Sequence, residues 1–179
     1  MLVEGLPGSG KTTLAARLAA EHGVPWWREE DRDHPVTPPS LRRHHRQPDF
    51  DEVCIDAWRR FVGGWSGPCV LEGCALQSTV RFMVEQAWPA TRIERYWRRF
   101  EEVVTPLAPV LVHLRTDGPA RFVREHTRAV RADVWDRMAA HAASTPIAAS
   151  LADPAVEVWV AYAEVCDRLL ASSTLRVEQ

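Results

Sequence analysis

Gly5-Leu6-Pro7-Gly8-Ser9-Gly10-Lys11-Thr12 is the stretch whose reading decides the fold. Met1-Leu2-Val3-Glu4 before it reads as a short buried strand, and Lys11 to about Glu21 after it reads as a helix with Gly23 as its C′ residue. The octapeptide matches GxxxxGK[ST] completely, in the strand-loop-helix setting which that motif requires. Its glycines allow successive N–H groups to turn inward, and with the helix N-terminus they form a concavity for an anion. Lys11 supplies a compact charge for the β and γ phosphates of a nucleotide, and the Thr12 hydroxyl can ligate Mg²⁺. Gly5, Pro7, Gly8, Ser9, Gly10, Lys11, Thr12 and Thr13 are therefore expected to hold ATP. A dinucleotide fingerprint fits less well, because Thr13 stands where G-x-G-x-x-G has its third glycine.

Lys11 is the only lysine among 22 Lys and Arg residues, and the chain has no asparagine. Such a bias resembles that of a GC-rich genome, in which arginine codons displace lysine ones. Arginine is bulkier, planar and rigidly forked, so it cannot replace a point charge inside a tight loop. The surviving lysine has a chemical reason.

With 179 residues, one domain spanning 1–179 and one active site are expected. A net charge of -2 lacks the basic excess of a nucleic-acid binder. No apolar run approaches the roughly 18 residues that span a bilayer, and Met1 is followed by no basic leader, so a cytoplasmic location without membrane contact is expected. Cys54, Cys69, Cys74 and Cys166 form no CxxC pair and read as reduced thiols in apolar surroundings. A homodimer is compatible with the composition.

Working outward, Val24 to Trp27 reads as a second strand and residues 28–48 as a long polar, proline-rich loop. Phe50, Val53, Cys54, Ala57, Trp58 and Phe61 give Phe50 to Trp65 helical spacing, with Asp51, Glu52, Asp56, Arg59 and Arg60 on its solvated face. Cys69-Val70-Leu71 reads as a buried strand ended by Glu72 and Gly73, and Val110 to Leu114 as the clearest strand. Helices are expected over Leu76–Ala87, Thr91–Val104, Ala120–Val130, Asp133–Ala143 and Ala155–Ala171, and a last strand over Leu175–Glu178. Alternating strands and helices predict an α/β fold with a parallel sheet covered on both faces.

Three groups of charged residues have candidate roles beside the loop. Glu72 ends a strand at the sheet edge where ligands bind in such folds, and is the expected carboxylate near the metal; Asp56 fits a solvated helix face better. Glu29, Glu30, Asp31, Asp33 and His34 follow the second strand, on the side that would meet a phosphate acceptor. Glu30 and Asp31 are put forward as catalytic acids, although the residues leave the choice within Glu29–Asp33 open. Arg121, Arg124, Arg128 and Arg131 recur at helical spacing, with Glu125 and Asp133 too few to neutralise them. They predict a lid over about 117–133, in which Arg124, Arg128 and Arg131 contact the nucleotide and Arg124 and Arg128 stabilise transferred charge. Most of the eight tryptophans read as core, while Trp26 and Trp27 are placed to stack on a ring-bearing substrate.

The loop, Glu72 and the arginine helix together resemble the nucleoside and nucleotide kinase branch of the P-loop NTPases. Glu4 to Thr13 looks like the opening of thymidylate kinases, and Val70-Leu71-Glu72-Gly73 lies where those enzymes carry an acid-arginine pair, with glycine here in place of the arginine. Arg28-Glu29 falls where they carry Arg-Glu-Pro-Gly-Gly, without the proline and glycines. The chain also resembles uncharacterised bacterial kinase-like proteins with an acid-rich segment ending in His-Pro, here Glu30 to Pro35, and a Glu-Gly-Cys-x-Leu-Gln segment, here Glu72 to Gln77.

The resemblance implies a five-stranded parallel sheet of order 2-3-1-4-5 with a helical lid. It also implies an ATP- and Mg²⁺-dependent kinase acting on a small-molecule phosphate acceptor, a nucleoside or nucleotide before a sugar, antibiotic or other metabolite. A regulatory GTPase is excluded in its usual form, since Asn-Lys-x-Asp cannot be written without asparagine or a second lysine. A P-loop ATPase and a nucleotide-binding module without catalysis are the alternatives of another class.

Overall fold

The computed structural model describes residues 1–179. Five strands, Leu2–Gly5 (β1), Trp26–Trp27 (β2), Val70–Glu72 (β3), Val110–Leu114 (β4) and Arg176–Glu178 (β5), form one parallel sheet in the order β2-β3-β1-β4-β5. Successive side chains of a strand leave on opposite faces. Leu2, Leu71 and Leu111 therefore enter a large apolar cluster on one face, while Val3 and Val70 meet Ala15 and Ala19 on the other. Ala15 and Ala19 belong to helix α1, Lys11–His22, whose small residues let it lie close to the sheet; Gly23 closes it in the left-handed conformation. Helices thus cover both faces, as the buried strands require.

The large cluster is built from α3 (Phe50–Gly64) and α5 (Ala90–Val104), with α9 (Pro154–Ala171) beside them. Trp58 packs edge-on against Phe61 and Phe100, and Trp97 lies against Phe100. Asp51, expected on a solvated face, is instead buried in an ion pair with Arg92 at 2.8 Å, because α5 crosses α3 there; Asp56 stays exposed on Arg59. All four cysteines are free thiols. No helix is long and apolar enough to cross a membrane.

Residues 28–48 are more ordered than an unstructured loop. They contain α2, Pro39–Arg43, and a 3₁₀ turn at His44–Arg46. Val36, Thr37 and Leu41 are buried, and the buried His34 accepts the N–H groups of Val36 and Thr37 at Nδ1 (3.1 and 3.0 Å). The expected Leu76–Ala87 helix opens with a π-helical turn, Leu76–Val80, before α4, Arg81–Glu85. A second π-helical stretch, Phe122–Thr127, lies between the short helices α6, Pro119–Arg121, and α7, Arg128–Val130. Helix α8, Trp135–Ala143, follows and packs on α9.

Candidate functional site

Strand register brings the C-terminal ends of β1, β3 and β4 to one edge: Val3 is level with Glu72, and Gly5 with Leu114. The Gly5–Thr12 turn rises from this edge. Ser9 N–H closes it on the Leu6 carbonyl at 3.1 Å, and Gly8 and Gly10 have φ of 83° and 91°, a region that glycine enters without strain. The first amide of α1 to find a carbonyl is Leu14, on Gly10; those of Gly10, Lys11, Thr12 and Thr13 find no acceptor within the chain. These unpartnered donors at a helix N-terminus make an anion cradle.

Lys11 is buried, and its Nζ donates to the Leu6 carbonyl at 3.2 Å. Burial lowers its pKa, opposed first by the charge of Glu29 and then by Glu4 and Glu72. The Thr12 hydroxyl donates to Glu72 Oε1 at 2.5 Å, while Glu72 Oε2 is buried without a partner. Burial pushes the Glu72 carboxyl up, against the Thr12 hydrogen bond and Lys11. One hydroxyl beside one carboxylate with a spare oxygen suits Mg²⁺, which takes few protein ligands and keeps water and phosphate oxygens for the rest. No cluster of three or more His, Cys, Asp or Glu offers a fuller cage.

Glu29, rather than Glu30 or Asp31, is the loop acid turned inward. Its Oε2 accepts from Gln77 Nε2 at 2.7 Å and its Oε1 from the Ser78 hydroxyl at 2.9 Å. Gly73 makes this approach possible: a Cβ there would lie 3.0 Å from Glu29 Oε2. Gly73 therefore admits a second carboxylate beside Glu72. Gln77 and Ser78 are themselves fixed from below, where the fully buried Glu4 accepts the N–H groups of Ala75 and Gln77 at 2.7 and 3.1 Å. Burial pushes the Glu4 carboxyl up to about 7, against the pull of these amides.

Two clefts meet here. One, of about 510 Å³, is lined by Pro7, Gly8, Gly10, Lys11, Thr12 and Glu72, among others. The other, of about 540 Å³, lies beyond Glu29 and is lined on its far side by Arg42, Arg81, Phe82 and Trp159. Pro7, Glu29, Glu30, Gln77, Arg131 and Arg137 line both. Glu30 reaches Arg131 at 3.8 Å, so it lines the clefts as half of an ion pair. Asp31 lines neither; its carboxylate accepts the Arg28 N–H at 2.7 Å and makes a turn. Gly5 and Ser9 form the back of the glycine-rich turn, and Thr13 its outer side.

The arginine helix divides. Arg131 lines both clefts, but Arg124 leans 3.7 Å from Asp153 and Arg128 lies over the Trp135 ring, and neither lines a cleft. The even spacing assumed 3.6 residues per turn, whereas the π-helical Phe122–Thr127 stretch winds more slowly and rotates Arg124 out of phase with Arg131. Arg121 is paired with Glu125 at 2.9 Å, so its charge is locally balanced after all. The face turned to the glycine-rich loop carries Thr127, whose hydroxyl donates to the Pro7 carbonyl at 2.8 Å, His126, 3.2 Å from the Gly8 carbonyl, and Val130.

Trp26 and Trp27 also lie outside both clefts, since Trp27 is packed edge-on against Trp65; Phe82 and Trp159 are the aromatic lining instead. Arg42, Arg81 and Arg137 had no motif of their own to mark them, and Gln77 was marked only as the end of the Glu72–Gln77 segment, without a role. The chain matches no family model, no curated protein and no solved structure.

Proposed function

We propose that the chain is an ATP- and Mg²⁺-dependent phosphotransferase of the P-loop NTPase fold, moving the γ-phosphoryl group of ATP to a small-molecule acceptor. The observation that carries this reading is the junction of the clefts, where unpartnered amides and Lys11 lie on one side and the inward carboxylate of Glu29 on the other. The amides of Gly10 to Thr13 and the Lys11 ammonium would bind the β and γ phosphates, and Arg131 would face the equatorial oxygens of the transferred group. Thr12 and Glu72 would hold Mg²⁺, which supplies charge neutralisation of the phosphates.

In the transfer, the acceptor oxygen bonds to the γ-phosphorus as the bond to the β,γ-bridging oxygen breaks, and ADP leaves with that electron pair. Where the acceptor is a hydroxyl, its proton passes to the Glu29 carboxylate. The helix over 119–130, resting on Pro7 and Gly8, is the lid of this reading.

An ATP-consumption screen over nucleosides, nucleotides and small hydroxylated metabolites, run beside Lys11→Ala, tests the proposal. Acceptor-dependent ADP release that Lys11→Ala abolishes is the expected result. Release that survives the substitution, or nucleotide binding without any acceptor-dependent release, would sink it; the latter result describes a non-catalytic binding module.

A further inference from the structure

The second cleft has an uneven distribution of charge. Next to the glycine-rich loop its wall is Glu29, together with Arg137 and the Glu30–Arg131 pair, and the Glu29 carboxylate would accept a proton from a hydroxyl. At the far side, lining this cleft alone, are Arg42 and Arg81, together with the buried Glu85, which pairs with Arg81 and His141.

Arg81 is almost wholly buried and held rigidly. Its Nε donates to the Gln77 carbonyl and its Nη1 to Glu85, and its guanidinium lies 4.0 Å from the Phe82 ring centroid and 5.3 Å from that of Trp159. Its second terminal nitrogen, Nη2, has no hydrogen-bond partner yet is not sealed from the cleft. Arg42 spends one nitrogen on the Glu29 carbonyl at 2.5 Å and has no carboxylate within ion-pair distance. Between these ends Gln77 Oε1 is buried and unpartnered, an acceptor beside the Glu29 carboxylate. Planar guanidinium groups with free N–H edges, fixed in advance, are suited to carboxylate or phosphate oxygens.

We propose that the acceptor is a small hydroxylated anion, with its reacting hydroxyl at Glu29 and Gln77 and a separate carboxylate or phosphate group held by Arg42 and the open edge of Arg81. This rests on the phosphotransfer reading and narrows it: the oxygen that attacks belongs to a hydroxyl, and the anionic group of the acceptor stays at the other end of the cleft. The bond-making step is the one given above, with the hydroxyl proton taken by Glu29.

Matched probes test it: glycerol, glycerate and glycerol 3-phosphate; glucose, gluconate and glucose 6-phosphate; uridine and uridine 5′-monophosphate. ADP release and phosphorus NMR are followed with the full chain, ATP and Mg²⁺, after calorimetry has measured ATP binding. Charged members are expected to be used with at least tenfold higher kcat/KM than their neutral parents, and to give a phosphoester at a hydroxyl. The carboxylate and phosphate arms identify which anion fits. Arg42→Gln is expected to raise KM for the charged acceptor at least tenfold and KM for ATP less than twofold, and Arg42→Lys to restore part of the loss.

Equal or better use of neutral parents, or a pyrophosphate product, would overturn the inference and leave the kinase reading intact. Failure to bind ATP would overturn both. If ATP binds and no probe is turned over, calorimetric binding of the same charged probes decides: binding lost in Arg42→Gln supports the inference, and its absence overturns it.

Discussion

The two clefts share walls but are built differently. The anion cradle on the glycine-rich side is made by consecutive residues, Pro7 to Thr13, and works through backbone amides and one buried ammonium, although residues from elsewhere in the chain complete the cleft around it. The other side gathers Glu29 from the loop after β2 and Arg42, Gln77, Arg81, Arg137 and Trp159 from five separate elements, and works through side chains. A local design tolerates change in the rest of the chain, whereas a gathered one depends on every tie that holds its pieces. The first should therefore suffer most when its own residues are altered and at most severalfold from changes beyond them, and the second should be open to distant substitutions and to pH.

The largest effect is expected at Lys11. Removing a preorganised charge aimed at the transferred group costs about 10² to 10³ in rate, so Lys11→Ala should lose close to 10³-fold in turnover. Its melting temperature should hold or rise, because a buried ammonium is relieved of its desolvation. A melting temperature that falls by more than a few degrees would mean that Lys11 supports the fold as well as the ligand.

Next come two buried titrating groups with opposite signs. Burial lowers His34 from its ordinary 6.5 to about 4, so the unfolded chain binds more protons between these values and His34 subtracts stability as pH falls. Glu4 is raised from 4.5 to about 7, so the folded chain binds more protons and Glu4 adds stability as pH falls through that window. Each term amounts to about 3 kcal/mol at roughly 1.4 kcal/mol per pH unit. They oppose one another, and the difference between variant and parent isolates each. Denaturant melts from pH 7 to 4.5 should show Glu4→Gln losing stability relative to the parent as pH falls, and His34→Gln gaining it. Parallel curves for parent and variants would break the claim that the gathered side is held by these ties.

Glu29→Gln should reduce kcat about 10²-fold, the lower end for removal of a general base, with little change in KM for ATP. Glu30→Gln and Asp31→Asn should each stay within a fewfold of the parent, since one is paired with Arg131 and the other serves a turn. If Asp31→Asn proves the more damaging, the inward geometry of Glu29 is not the one used.

That ranking of acids also marks the limit of what could be read in the chain. The strands and the parallel sheet were legible because hydrophobic runs, glycines and the loop motif are local signals, and Lys11, Thr12 and Glu72 came with them; the strand order came only from the resemblance. Glu29 was visible as one acid among several and as part of the Arg28-Glu29 pair, and neither signal set it above Glu30 or Asp31. What selects it is Gly73, 44 positions away, whose missing Cβ leaves the space, together with Gln77 and Ser78. The failed placement of Arg124 and Arg128 has a similar origin. A π-helical winding answers to the packing of Val123 and Thr127 beneath it, and spacing alone does not announce that packing.

The smallest effect sharpens the comparison most, because it asks whether the local side is self-sufficient. Thr127 is fully buried and ties the 119–130 helix to the Pro7 carbonyl, and the Val130 side chain occupies the space that a Cβ on Gly8 would need. Thr127→Val keeps the volume and removes the hydroxyl, which should cost about 1 kcal/mol for the lost hydrogen bond and its unpaired carbonyl; Thr127→Ser should keep the bond at the price of one methyl group. If the loop holds its shape alone, both variants bind ATP as the parent does and only the melt of Thr127→Val shifts. If the helix braces the loop, ATP affinity measured by calorimetry falls severalfold in Thr127→Val and recovers in Thr127→Ser. The second outcome is the one expected, since the carbonyls that Thr127 and His126 engage belong to the turn that aims the amides.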